Sequence, residues 1–487
     1  MIIGIDFGTT NSVVAYVDEN MKVNVIVNER GSRLTPSVVY FKNEKQVFVG
    51  EMAKSQMLLK PSQTVSKVKR KIGTDHTYKI FNKEYKPYEI GSLIFSKLKK
   101  YSSEFLGINV EKAVVTVPAY FDDNQRQGVI KAAKLVGIDV VKLLNEPTAA
   151  ALAYGVPNDE STVLVLDLGG GTFDITLMRQ SNGLFEVLTT GGSTELGGSD
   201  FDEILAGWLV DEFQTDTGVD LSTDPIALQQ IYNAVERAKI DLSNVNDTNV
   251  VIPYIALTER GPLHINKILT RELFDSLCKN LIEKIDELID ETLSEADLSP
   301  DQVNMLVFSG GASRMPFFRK LSQKFPNAQI KAEINPDEVV AMGAAVQAAM
   351  IEGRIKSVEL RDILPHSLGV LDDDDNFVEI IKKGTIYPTV ATKMFTNTED
   401  NQDTVTIQVL QERGEKLVNL GKFHFKSSKK WKKNEANIAV SFSLNNNGVL
   451  EVSAEDVDTG EVEEVVITDS IFNYFDEELH QLDLEII

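Results

Sequence analysis

Two short runs hold the residues best suited to chemistry: Asp6-Phe7-Gly8-Thr9-Thr10-Asn11, and Asp167-Leu168-Gly169-Gly170-Gly171-Thr172 with Asp174 just beyond. In each, an apolar stretch ends at an aspartate and is followed by glycine and threonine. Phosphate oxygens need backbone N–H donors that approach closely, which glycine permits because it has no Cβ. Threonine hydroxyls add further donors. A carboxylate cannot face phosphate directly, but it can hold Mg2+ or the ion's water shell, a part that suits Asp6, Asp167 and Asp174. Either run alone is also compatible with an ordinary tight turn; the two together weaken that reading. Their shared style, IIGIDFGTT against VLVLDLGGGTFD, suggests a duplicated half-domain whose hairpins face each other. The sequence holds neither a G-x-x-x-x-G-K-[ST] loop nor a strand-linked G-x-G-x-x-G, so a P-loop or a Rossmann site has no support.

The elements that must carry these hairpins alternate in type. Ile2–Ile5, Lys112–Val117 and Val163–Leu166 have strand composition, whereas Gln125–Leu135 and Glu146–Tyr154 have helical spacing, an alternation that predicts an α/β domain over residues 1–353. Residues 354–364 mix charged and apolar side chains and are expected to be a linker. Thr404–Gln411, Ile438–Leu444, Val449–Ala454 and Glu463–Thr468 then follow as strands between turn signals such as Asn446-Asn447-Gly448, predicting an all-β domain over 365–470. Acidic and apolar residues at helical spacing over 471–487 predict a short helical stub.

Bulk properties bound the function classes. A chain of 487 residues is too long for one ordinary core. Its 49 basic against 73 acidic residues give a net charge of −24, which repels nucleic acid and anionic membranes. The one basic cluster, Lys426–Lys433 around Trp431, is expected to be a solvated loop. The start of the chain lacks the pattern of a secretory signal, and the most apolar helical stretch, Val339–Ile351, is too short to span a bilayer. Cys278, the single cysteine, cannot form an internal disulfide; it is expected to be a small buried hydrophobe in a cytoplasmic protein.

The two hairpins resemble the superfamily of actin, hexokinase and the heat-shock ATPases, which leaves filament, kinase and chaperone open. Longer segments narrow it. Val115–Gln127 (VTVPAYFDDNQRQ), Asn145–Gly155 (NEPTAAALAYG), Val235–Ser243 (VERAKIDLS), Ser309–Pro316 (SGGASRMP) and Asn335–Ala345 (NPDEVVAMGAA) are similar to signature segments of the seventy-kilodalton heat-shock (DnaK-like) chaperone family. That resemblance implies an actin-like (ribonuclease H-like) ATPase domain of two lobes, followed by a β-sandwich that binds extended polypeptide. It implies ATP/ADP and Mg2+ as ligands and allows K+. Unfolded polypeptide clients, a J-domain co-chaperone and a nucleotide-exchange factor are the partners it suggests, with no nucleic acid and no membrane.

Site roles follow from the same resemblance where residues match. Lys69 resembles the catalytic lysine near the γ-phosphate, and Glu146 the carboxylate that orients attacking water, with Asp167 and Thr172 completing the catalytic set. Gly8, Thr9, Thr10, Asn11, Gly169, Gly170 and Gly171 would hold phosphates. Glu236 and Lys239 resemble ribose contacts, Ser243 and Arg314 an adenine clamp, and Gly310, Gly311 and Asp337 the loops beneath the nucleoside. Without the resemblance, Lys69 is a solvated lysine, Glu146 a helix-start glutamate favoured by the dipole, and Glu236 with Lys239 an exposed helix pair. Pro118 and Arg126 match an interdomain switch. Val370, Phe395, Val405 and Ile407 occupy peptide-pocket positions, though each fits a β-domain core equally well.

Three features depart from the family pattern. In SVELR (Ser357–Arg361), Glu359 and Arg361 stand where leucines are usual, so docking of this linker on the ATPase domain has to accommodate two charges. Asp372–Asp375 put carboxylates at the arch over the peptide, which disfavours a hydrophobic client and favours a basic one. Most of the helical lid has no counterpart, so peptide release is expected to be fast. These traits, with a short segment over Lys71–Ile90, are similar to the HscC-type branch. Lys142 replaces an arginine that engages J-domain partners, keeping the charge but losing bidentate pairing. The expected function is an ATP-dependent chaperone; the alternative is a nucleotide-binding regulatory or co-chaperone module in which ATP state is not coupled to client binding. A sugar kinase on the same fold leaves the β-domain without a purpose.

Overall fold

The apolar run before Asp6 forms β1 (Ile3–Asp6), which pairs antiparallel with β2 (Asn11–Val17), itself antiparallel to β3 (Val23–Ile26). On its other side β1 is parallel to β4 (Lys112–Val117), and β4 to β5 (Asp139–Asn145). The arrangement is repeated later in the chain. There β6 (Ser161–Leu168) pairs antiparallel with β7 (Phe173–Ser181) and β7 with β8 (Leu184–Ser193), while β6 is parallel to β9 (Met305–Ser309) and β9 to β10 (Gln329–Lys331). The strand orders β5-β4-β1-β2-β3 and β10-β9-β6-β7-β8 correspond one to one, so the half-domain duplication suggested by the hairpins is present. These relations belong to a computed structural model that describes residues 1–155, 160–355, 358–372, 374–414, 416–465, 482 and 484–487.

Each half buries its own apolar set, one around Ile5, Phe7, Phe41, Phe95 and Val115, the other around Leu166, Phe173, Phe201, Ile231 and Phe318. Burial of such side chains stabilises by about 1.5–3 kcal/mol each. Two helices, Glu146–Ala153 and Val339–Ile351, fill the space between the halves, and the second also packs on β1 and β2. They approach so closely that a Cβ on Gly343 would lie 1.7 Å from the Ala149 carbonyl oxygen, and one on Gly4 2.3 Å from the Ala345 nitrogen. The small residues that Val339–Ile351 places at these contacts are therefore a packing requirement. No helix among the described residues is long and apolar enough to cross a membrane.

Among the described residues, the predicted strands and helices are found with ends shifted by two residues or fewer, and one expectation, the lysine loop, is corrected. Within the linker, residues Glu359–Ile363 form β11, parallel to β8 in the register Leu184↔Glu359, Phe185↔Leu360 and Glu186↔Arg361. Successive side chains of a strand point to opposite faces, so Glu359 and Arg361 lie outside, paired at 2.9 Å, while Leu360 turns toward the apolar set between the halves. The two charges are thus accommodated by alternation; Lys356 and Ser357 lie outside the described residues. Next, the lysine cluster is part of the strand Lys416–Trp431, with Lys426 and Lys430 exposed and Trp431 fully buried, rather than a loop. The expected stub over 471–487 lies largely outside the described residues, as does the predicted strand end beyond Val465. What is described there is a strand, Glu485–Ile486, because the apolar side chains at 482, 484 and 486 alternate instead of following a helical turn.

The β-domain consists of two four-stranded sheets. One has the order 377–381, 368–371, 402–413, 416–431, and the other 389–395, 438–444, 450–456, 461–465. Between them lies a core containing Val370, Ile407, Phe425, Trp431 and Phe442.

Candidate functional site

The turns after β1 and β6 face each other across a cleft of about 620 Å³. Asp6, Gly8, Thr9, Thr10, Asn11, Asp167, Gly169, Gly170 and Thr172 line it from the two hairpins. Their approach is close: a Cβ on Gly170 would lie 2.0 Å from the Thr10 Oγ1 and one on Gly8 2.0 Å from the Asn11 carbonyl oxygen. Lys69, Glu146, Glu236, Lys239, Ser243, Gly310, Gly311, Arg314 and Asp337 complete the lining. Of the residues expected at a nucleotide, only Gly171 and Asp174 stand behind the wall. Gly310 adopts a φ of +79°, and a Cβ there would strike the Leu168 carbonyl oxygen at 2.3 Å, so both conformation and contact demand glycine.

Charge at the cleft floor is concentrated and buried. Lys69 Nζ pairs with Glu146 Oε1, with the two side chains only 3% and 10% exposed. Lys69 reaches the floor from a short 3-10 turn, Val68–Lys71, and sits between the Phe7 and Phe121 rings. Glu146 begins the helix Glu146–Ala153, where the N-terminal dipole favours its charge. Lys69 is therefore not a solvated lysine, and Glu146, which does stand at a helix start, is also buried against it.

Three carboxylates stand beside this pair. Asp6 Oδ1 accepts from Thr116 Oγ1 at 3.3 Å, Asp167 Oδ2 from Ser309 Oγ at 2.9 Å, and Asp174 Oδ1 from the Tyr120 N–H at 3.3 Å. Burial, and after it the charge of Glu146, raises Asp6 and Asp174 to about 7; the same causes, joined by Asp174, raise Asp167 well above the usual range. Asp174 Oδ2 is buried with no hydrogen-bond partner. Such a set calls for a cation, which would favour the ionised forms. Among the described residues no three His, Cys, Asp or Glu side chains converge to ligate an ion by themselves, so an ion here would keep water or take oxygens from a ligand.

Lys239 is no surface residue: it is buried, pairs with Asp202 at 2.6 Å and donates to the Gly198 carbonyl at 2.7 Å. Glu236, on the same helix Pro225–Asp241, meets Lys54 of the opposite lobe at 3.9 Å across the cleft mouth. Arg314 pairs with Asp337 at 2.8 Å. Sequence reasoning missed the segment Gly197-Gly198-Ser199-Asp200-Phe201-Asp202. Its glycines pack on the second hairpin, with the Gly198 N–H on the Gly169 carbonyl at 2.8 Å and the Ser199 N–H on that of Gly170 at 2.9 Å. Arg70, also missed, donates to the Gly171 carbonyl at 2.8 Å and pairs with Asp200 at 2.6 Å, joining the two lobes. The GGSD run and the lysine-arginine pair were the available signals.

Behind the cleft, Arg126 is buried and donates to Asn145 Oδ1 at 2.8 Å. Pro118 ends β4 and its carbonyl accepts the Phe121 N–H at 3.2 Å, turning the chain toward Arg126. The β-domain docks on this region. Asp123 Oδ1 accepts the Leu450 N–H at 3.0 Å, the Leu143 N–H meets Asn447 Oδ1 at 3.1 Å, and Lys142 Nζ donates to the Asn446 carbonyl. Of the peptide-pocket residues, Val370 and Ile407 are buried in the β-domain core while Phe395 and Val405 pack half-buried against it. In the expected arch segment, Asp372 accepts backbone N–H groups of Asn376 and Asp374, which hold its carboxyl below the usual range; Asp373 lies outside the described residues.

The sequence profile of the Hsp70 protein family matches residues 2–483. The chaperone protein DnaK of Thermosipho melanesiensis is 41% identical over 478 residues, covering 96% of this chain and 80% of that protein. That of Thermotoga neapolitana is 41% identical over 477 residues, with the same coverage of each.

Proposed function

The chain belongs to the Hsp70 family and is an ATP-hydrolysing, ATP-dependent chaperone, and we propose that hydrolysis takes place at the Lys69–Glu146 pair between the two glycine hairpins. The observation that carries this reading is that buried pair, set beside the three buried carboxylates of Asp6, Asp167 and Asp174. Residues 1–353 serve as an actin-like ATPase domain, 354–364 as the connection and 365–470 as the peptide-binding domain. ATP and ADP are the family's ligands, typically with Mg2+. Bound there, the ion would neutralise charge on the phosphates, with Asp6, Asp167 and Asp174 holding it through water. K+ is a further ion the site's carboxylates suit.

In this reading the backbone N–H groups of Gly8, Gly169 and Gly170 and the hydroxyls of Thr9, Thr10 and Thr172 receive phosphate oxygens. Glu146 accepts a hydrogen bond from the attacking water and fixes the Lys69 ammonium. Lys69 stabilises negative charge that develops as the terminal phosphoryl group departs. Glu236, Lys239 and Ser243 line the ribose and base end, and Arg314, fixed by Asp337, covers the base.

The clients are unfolded polypeptides, with a J-domain protein and an exchange factor as co-chaperones, in a cytoplasmic setting. Coupling to the β-domain is favoured over an uncoupled nucleotide-binding module because the connection is a paired strand beside the site's own helix. Peptide affinity measured with ATP and with ADP tests this. A difference well above about twofold supports coupling, and equal affinities mean that the module is uncoupled.

A further inference from the structure

Far from the cleft, the strand Gln46–Val49 belongs to a small sheet of the first lobe, where it pairs with Val38–Phe41, which in turn pairs with Thr64–Ser66. Its outer edge is covered by the other end of the chain. Glu485 and Ile486 run parallel to it in the register Glu485↔Gln46 and Ile486↔Val47. The Glu485 N–H donates to the Lys45 carbonyl at 2.8 Å and the Ile487 N–H to that of Val47 at 3.0 Å, while Gln46 Nε2 donates to Glu485 Oε2 at 3.0 Å. Leu482, Leu484 and Ile486 pack against the lobe's buried core, which includes Val47; Glu485 and Ile487 face solvent.

This is the pattern by which an extended segment adds to a sheet edge: main-chain bonds give the affinity, and alternate apolar side chains give the register. An uncovered edge strand exposes unpaired N–H and C=O groups. The occupant is this chain's own segment, seated with both kinds of contact. Because that segment follows the β-domain in sequence, its pairing is intramolecular, and even a short strand meets its edge at a high effective concentration.

We propose that the segment ending at Ile487 is a strand latch, holding the β-domain on the ATPase domain by occupying the Gln46–Val49 edge. Docking then has two separate supports, the contacts around Asp123 and Leu450 and the latch on the other sheet, and loosening the latch exposes the first to solvent more often.

Hydrogen exchange on the full chain tests this. In the unmodified protein the Glu485 and Ile487 amides are expected to exchange at least about tenfold more slowly than in the free peptide LDLEII. In a Leu484→Asp, Ile486→Asp double variant that protection disappears and the Leu450 amide, bonded to Asp123, exchanges several-fold faster; Ile487→Asp, on the solvent side, changes neither. Free-peptide exchange rates in the unmodified chain overturn the proposal without reliance on any variant. It is equally overturned if the double variant keeps its terminal protection, or if it loses that protection while exchange at Leu450 stays unchanged.

Discussion

Asn145 Nδ2 donates to Asp362 Oδ2 at 2.8 Å, in a buried setting where Asn145 Oδ1 also accepts from Arg126. Asn145 immediately precedes Glu146 of the cleft, and Asp362 lies in β11, the strand that leads into the β-domain. One hydrogen bond therefore ties the position of the proposed water-orienting carboxylate to that of the connection. Asp362→Ala removes the acceptor and leaves a buried amide unpaired, at a cost of about 1–3 kcal/mol to the docked arrangement. The expected outcome is that the ratio of peptide affinities in ATP and ADP shrinks toward one while nucleotide affinity changes little. Peptide titrations by fluorescence anisotropy in both nucleotides check it.

Alternation in β11 makes a second prediction about the same connection. Leu360 faces inward and Glu359 and Arg361 outward, so Leu360→Asp is expected to free the strand. Glu359→Leu and Arg361→Leu should stay within about 0.5 kcal/mol of the parent stability. Limited proteolysis between residues 354 and 364 reads the difference: cleavage accelerates in the first variant only.

What the sequence revealed and what it hid follow the range of the interactions involved. The hairpins at Asp6 and Asp167 were legible because the turn, the close approach and the phosphate-binding groups lie within a few neighbouring residues. Glu359 and Arg361 were misleading because charge at a nominally apolar position looks disruptive until strand pairing assigns each side chain to a face, and the partner, Leu184–Glu186, is far away in sequence. Asp202 and Arg70 were missed for the same reason: each acquires its role only when Lys239 or the Gly171 carbonyl is brought alongside. At the far end, the acidic and apolar residues over 471–487 were read at helical spacing, and the strand Glu485–Ile486 is set by a partner, the Gln46–Val49 edge, far away in sequence.

Protonation of the cleft makes a third prediction. Asp6 and Asp174 titrate near 7 in the folded protein against an ordinary value of 3.8, so the folded state binds more protons than the unfolded chain between those limits. Their contribution to stability is fully present below that ordinary value and is lost as pH rises through about 7. His366 acts oppositely: burial lowers it to about 4, so its contribution is present above 6.5 and is lost as pH falls toward 4. Between about pH 6 and about pH 8 the carboxylates dominate, and the nucleotide-free protein is expected to melt on the order of 2 °C or more lower at the upper end. Saturating Mg2+ and ADP should flatten that slope, since a cation favours the ionised forms. Thermal unfolding followed across this range, with and without the ligand, measures both.

Lys69 separates binding from chemistry. Its ammonium is held between Glu146 and two aromatic rings at the cleft. Charge that develops only as the phosphoryl group leaves is stabilised by a preorganised cation more than the ground state is, so Lys69→Ala should lower single-turnover hydrolysis by about 10²–10³-fold. Nucleotide affinity depends mainly on backbone N–H groups and the ribose and base contacts, and is expected to change far less. Glu146→Gln distinguishes the role of the pair from that of the lysine alone: it keeps a hydrogen-bonding group beside Lys69 but cannot orient water as a carboxylate does, and should slow hydrolysis as well. Unchanged turnover in Lys69→Ala, with folding verified by a cooperative melt, would place the chemistry elsewhere in the cleft.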